Sequence, residues 1–186
     1  MAGSLIPLYR VMHNRGYFWG RSVRHHLDAI ANLVTSSGAE TLLDYGCGKG
    51  HQYTQKRCHS AWGNIKPTLY DPGVPELSNR PKGTFDGVIC TDVLEHIPED
   101  ELDDVIGDLV GYAKMWCFMS ICCQPARKTF PDGRNVHVTI QTQEWWVRRL
   151  EAAFAGRAAI HMSFDRDKGA VDSVASSSPY EWKKGA

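Results

Sequence analysis

Apolar positions change their period repeatedly along the chain, and each change marks an element. Val23, Leu27, Ile30 and Val34 recur at the spacing of one helix face between a capping Ser22 and Gly38, which predicts a first helix. Leu42 and Leu43 open a short apolar run that closes on Asp44 and a glycine turn, the pattern of a first strand. A second short strand ends at Leu69, Tyr70 and Asp71, stopped by Pro72, and a third is FDGVICT, Phe85 to Thr91. Behind Pro98, the stripe Leu102, Ile106, Leu109 and Tyr112 predicts a helix ending near Lys114. Met115 to Cys123 is wholly apolar, as in a strand buried on both faces. Thr142 can cap a helix carrying Trp146, Leu150 and Phe154, and two last strands are expected over 158–164 and 170–175. Strands alternating with helices predict one α/β domain with a mostly parallel sheet.

Composition narrows the partners. Lys plus Arg and Asp plus Glu number 21 each, so no overall field exists to hold a polyanion, and non-specific nucleic-acid binding is disfavoured. The cysteines show no CxxC spacing and mostly lie inside apolar runs, which fits reduced thiols in a cytosolic protein. No signal peptide or long membrane-spanning apolar stretch is read, and the protein is expected to be soluble, without membrane partners, and cytoplasmic.

The chemistry concentrates in LLDYGCGKG, Leu42 to Gly50. A strand followed by a glycine turn and a helix presents backbone amides at the carboxyl edge of a parallel sheet, where ligands bind. The dinucleotide fingerprint would require glycine at position 51, which is His51, and no GK[ST] follows for a P-loop. Asp44 at the strand end suits a ligand carrying an ammonium group and would repel a pyrophosphate. S-adenosylmethionine offers both a carboxylate for the amides and an amine for Asp44. Asp71 likewise closes a strand, where two acceptor oxygens can take a vicinal diol. The plainer alternatives are a tight turn for the glycines and a turn-forming Asp-Pro at Asp71 and Pro72.

LLDYGCGKG resembles the first motif of class I S-adenosylmethionine-dependent methyltransferases, and FDGVICTDVLEHI resembles their later strand and acidic turn. More loosely, YGCGKGHQY and PDGRNVH followed by WW look like small methyltransferase-domain proteins of bacteriophages and bacteria. The resemblance implies a Rossmann-like sheet of six or seven strands over a domain at 22–176, after a leader at 1–21 and before a polar tail at 177–186. It implies that Asp44, Gly46, Cys47 and Gly48 surround the methionine end of the cofactor and that Asp71, followed by Pro72, binds the ribose hydroxyls. Asp92 and Val93 would line the pocket near the adenine or methionine. One departure stands out: only Pro72 to Thr84 separate the ribose-binding acid from the FDGV run, too few for a helix and a strand.

Transfer from a sulfonium can rest on alignment alone, so a base is optional. The candidates for one are His96, with its neighbour Glu95, and His137 in the loop PDGRNVHVT; a structural loop histidine is the alternative for His137. Asp92, Glu95 and His96 also form a D-x-x-E-H set that could hold a divalent cation or simply cap a helix. Tyr9, Tyr17, Phe18 and Trp19 in the leader either form a lid over the cofactor or pack on the sheet. The expected activity is methyl transfer to a small-molecule oxygen or nitrogen acceptor, with a nucleic-acid base or surface glycan as the alternative. A catalytically degenerate cofactor-binding subunit or sensor is the rival class, and a nucleotide-binding oxidoreductase, lacking its fingerprint, is the weaker one.

Overall fold

The structure, a computed structural model, describes residues 5–164. Helix α1 (Ile6–Asn14) lies in the leader; α2 (Leu27–Ser37) precedes β1 (Leu42–Tyr45), the short α3 (His51–Thr54) and β2 (Thr68–Tyr70). Then come β3 (Phe85–Thr91), α4 (Leu102–Tyr112), β4 (Ala113–Ile121), α5 (Gln143–Phe154) and β5 (Ala159–Phe164).

All strand pairings are parallel, in the order β2-β1-β3-β4-β5. The chain leaves β1 toward one edge, to β2, and returns on the other side of β1, at β3. Neighbouring loops therefore diverge between the carboxyl ends of β1 and β3, the switch point where open parallel sheets hold ligands.

The sheet is covered on both faces because its strands obey a period of two. Leu43, Val88, Cys117, Met119, Ile160 and Met162 pack with Leu102, Ile106 and Leu109 of α4 and Trp146, Leu150 and Phe154 of α5. Leu42, Ile89, Trp116 and Phe118 face the other way, onto Ile30 and Val34 of α2 and the Tyr53 and Trp62 rings. A third cluster joins Leu5 and Met12 of the leader to Phe130 and Val136 of the long loop after β4.

Several expectations need correction. The sheet has five strands among the described residues, and Pro72 to Thr84 holds one short 3-10 turn, Pro75–Leu77, and no strand, which removes the seventh. The strand expected over 170–175 and the tail at 177–186 lie outside the described residues. The first helix does not run from Ser22; a 3-10 turn, Ser22–His25, ends at a kinked His26, and α2 starts at Leu27 before closing on a left-handed Gly38. Pro98 stands ahead of a 3-10 turn, Glu99–Glu101, and not inside α4. Thr142 caps α5 as expected, its side chain accepting from the Trp145 amide. Of the adjacent tryptophans, Trp146 is buried and Trp145 lies half-exposed beneath the Arg149 guanidinium.

Candidate functional site

The glycine turn after β1 is held by its own chain. The Gly46 and Cys47 amides both donate to the Tyr70 carbonyl, at 2.7 and 3.1 Å, and the Gly48 amide donates to Asp71 Oδ2 at 2.8 Å. Asp71 Oδ1 accepts from the Gly73 amide at 2.8 Å and lies 3.6 Å from His13 Nε2. One carboxylate thus ties the turn after β1 to the turn after β2. Pro72, next to it, accepts from Arg10 at 3.5 Å. Cys47 is buried, with its thiol pKa pushed far up by that burial, so it is inert packing.

Asp44 sits beneath this turn, on the sheet face that meets Gln52 and Tyr53. Gln52 Nε2 donates to Asp44 Oδ2 at 2.6 Å, while Gln52 Oε1 accepts from the Val23 amide. Asp44 is 1% exposed and its Oδ1 has no hydrogen-bond partner. The Tyr53 hydroxyl, close enough to act on the carboxyl, also lacks a partner of good geometry. Burial without full compensation pushes the Asp44 pKa up to about 7.

The leader lies across the turn. The Trp19 carbonyl accepts from the His51 amide at 3.2 Å and the Gly20 carbonyl from the Gln52 amide at 2.9 Å, taking donors at the start of α3. Backbone meets backbone here: a side chain at Gly48 would collide with Gly20, one at Gly20 with the Cys47 carbonyl, and one at Gly46 with Val93. The left-handed φ of Gly46 and Gly48, +80° and +58°, adds a second requirement for glycine at both. Trp19 covers His51 at 4.9 Å between ring centroids, with Lys49 and Arg21 over its own ring.

The second group of polar residues gathers past β3. Asp92 takes a left-handed φ of +55°, a costly conformation that re-aims the chain at the sheet edge, and is held by Ser120: the Asp92 amide donates to the Ser120 carbonyl at 2.9 Å and Ser120 Oγ donates to Asp92 Oδ1 at 3.1 Å. A 3-10 turn, Leu94–His96, then presents Glu95 and His96. Glu95 is fully buried, and its Oε1 accepts from the Cys122 amide at 3.1 Å.

His137 arrives from the loop between β4 and α5, which is pinned by its own polar atoms. Asn135 Oδ1 accepts from the Ala126 and His137 amides while its Nδ2 donates to the Ala126 carbonyl. The Val138 and Thr139 amides both donate to the Glu95 carbonyl, at 2.9 and 3.1 Å. The His96 and His137 rings consequently meet edge to face, 4.8 Å between centroids. His96 Nδ1 is 2.8 Å from the Val136 carbonyl and His137 Nδ1 is 2.6 Å from the Gln124 carbonyl. A carbonyl only accepts, so each ring carries its proton on Nδ1 and keeps a lone pair on Nε2. Burial and the neighbouring His137 lower the His96 pKa to about 4, so the ring is neutral at pH 7 and a weaker base than an ordinary histidine.

Every residue proposed from the sequence is therefore placed near the carboxyl edge of the sheet, in two groups: Asp44, Gly46, Cys47, Gly48, Asp71 and Pro72 at β1 and β2, and Asp92, Val93, Glu95, His96 and His137 past β3 and β4. Sequence reasoning missed His13 and Gln52, and it named Tyr9 only as part of a lid or packing cluster. The Tyr9 hydroxyl lies 2.8 Å from the His96 carbonyl and 2.9 Å from that of Val136, which links the leader to the histidine pair. For Gln52 and His13 the sequence carried no signal. No protein-family model matches the chain, and no curated protein matches it. Among the described residues no helix is long and apolar enough to cross a membrane.

Proposed function

We propose that the chain binds S-adenosylmethionine at the carboxyl ends of β1 and β2 and transfers its methyl group to an oxygen or nitrogen acceptor, in a class I methyltransferase arrangement. The observation that carries this reading is the pairing of two buried acids, Asp44 and Asp71, on either side of a glycine turn beside the switch point. The orphaned Oδ1 of Asp44 is matched by an ammonium group, which would satisfy it and restore its ionised form. Asp71, with lone pairs left after its two amide bonds, suits a ribose diol. Asp92 and Val93 form the facing wall.

The donors for a carboxylate are the His51 and Gln52 amides, and these are reached only when Trp19 and Gly20 lift away. Binding is thus coupled to displacement of residues 18–20. The chain's own contribution to transfer is alignment of acceptor and methyl donor, worth up to about 7–11 kcal/mol, and His96, held neutral by burial, is a weaker base than an ordinary histidine. A small molecule is the favoured acceptor, with a nucleic-acid base or surface glycan second.

The closed seat of the leader favours one further reading, a cofactor-binding subunit or sensor whose occupancy is set by the leader. Thermal shift with S-adenosylmethionine, S-adenosylhomocysteine and NAD tests the binding claim: stabilisation by the first two supports it, and stabilisation by NAD alone defeats it. Transfer of labelled methyl groups into metabolite, RNA, DNA or glycan fractions then separates enzyme from sensor.

A further inference from the structure

We propose that Glu95, His96 and His137 bind a single divalent first-row transition-metal ion. Each offers one ligand atom, and the three atoms lie within 4.8 Å of one another. Ligand bonds of about 2.0–2.2 Å place the donors around a tetrahedral ion about 3.3–3.5 Å apart, so closure on an ion requires movements of about 1 Å, within the reach of side-chain rotation.

The supporting contacts are those a metal site needs. Each imidazole gives its Nδ1 proton to a backbone carbonyl, Val136 for His96 and Gln124 for His137, which fixes the tautomer and leaves Nε2 as the ligating atom. Glu95 is oriented by the Cys122 amide, and its own carbonyl anchors the strand of loop that carries His137. A fully buried carboxylate is costly, and a bound cation offsets that cost.

This set differs from the D-x-x-E-H reading of the sequence. Asp92 is held by Ser120 and stands outside the cluster; His137, forty-odd residues along, takes its place. Two imidazoles with one carboxylate suit zinc, manganese or ferrous iron, whereas magnesium prefers oxygen donors throughout. Three protein ligands leave at least one coordination position open.

The test is direct binding, independent of the cofactor. The full chain, stripped with a chelator, is titrated with Co²⁺ by visible absorption and with Zn²⁺, Mn²⁺ and Mg²⁺ by calorimetry. The expected result is one equivalent of Co²⁺ or Zn²⁺ bound without a thiolate-to-metal charge-transfer band, Mn²⁺ weaker and Mg²⁺ weakest. His137→Ala and Glu95→Gln each weaken binding by about 10–100-fold or more, while His25→Gln, at an exposed position, leaves it unchanged. Thermal melts without metal confirm that the variants fold, and His137→Gln replaces any alanine variant that does not. Binding well below one equivalent, a cysteine signature, equal affinity in the ligand variants, or Mg²⁺ bound as tightly as Zn²⁺ would each overturn the site.

Discussion

Gly20 and Gly48 touch backbone to backbone: a Cβ on Gly48 would stand 2.7 Å from the Gly20 nitrogen, and both residues hold left-handed φ, +67° and +58°. The leader therefore seats on the glycine turn only because neither partner has a side chain. Gly20→Ala adds a methyl group against the Cys47 carbonyl and strains the turn, which unseats residues 18–20 and frees the His51 and Gln52 amides. If those amides serve the cofactor, two competing hydrogen bonds of about 0.5–1.5 kcal/mol each are removed, and S-adenosylmethionine should bind roughly 5- to 150-fold more tightly by calorimetry. Unchanged affinity in a folded Gly20→Ala protein would show that the leader does not guard the site.

Asp44 makes stability depend on pH in an unusual direction for a carboxylate. Its folded pKa is raised to about 7 from 3.8, so the folded state binds more protons than the unfolded chain between those values. The contribution is greatest below about pH 4 and is lost as pH rises toward 7, an effect on the order of a few kcal/mol. Asp44→Asn should melt higher than the native protein at pH 8 and converge with it, or fall slightly below, near pH 4. Cofactor affinity should show the opposite trend, rising from pH 6 to 8 in the native protein as Asp44 ionises and flat in the variant.

Asp71 ties two turns together, and the proposed diol would use the same two oxygens. Asp71→Ala deletes the acceptor for the Gly48 and Gly73 amides, and two buried donors left without a partner cost about 1–3 kcal/mol each. A lowered melting temperature and a cofactor affinity weaker by on the order of 1–3 kcal/mol are expected together. Asp71→Asn keeps one acceptor oxygen and should recover part of the stability, while its affinity remains low because the amide offers one acceptor to a diol.

How much of this was legible in the sequence depends on the range of the interactions. Phe85–Thr91 is readable residue for residue, because an apolar run bounded by glycine and an acid leaves no other period. Gly38 and Thr142 mark helix ends through local backbone chemistry, and both do so here. The break at His26 is not readable, since Val23 and Ile30 keep helical spacing across it and both are buried on the same side. The acids Asp44 and Asp71 are legible as strand ends, but their partners, Gln52 of α3, His13 of α1 and the Gly73 amide, are brought to them by tertiary packing that no pattern encodes. His137 was a candidate by its residue type and its place in the loop after the long apolar strand; its meeting with His96 depends on that loop being folded by side-chain to backbone bonds.

Asn135 makes that loop testable without altering a ligand. Its side chain bridges both polar atoms of the Ala126 backbone and receives the His137 amide, three bonds that shape the turn from Gln124 to His137. The His137 ring in turn depends on the Gln124 carbonyl, so slackening this turn lets Nε2 wander from the pair. Asn135→Ala should leave the sheet intact, since its contacts fall within the loop, and lower the melting temperature by only a few degrees. Metal affinity should nevertheless drop about 10-fold, the scale seen when outer contacts of a ligand are removed. Asn135→Asp keeps the acceptor for both amides but sets an oxygen against the Ala126 carbonyl, and its affinity should fall between the two. Equal affinity in all three proteins would mean that the loop is held in place by Glu95 and Val136 alone.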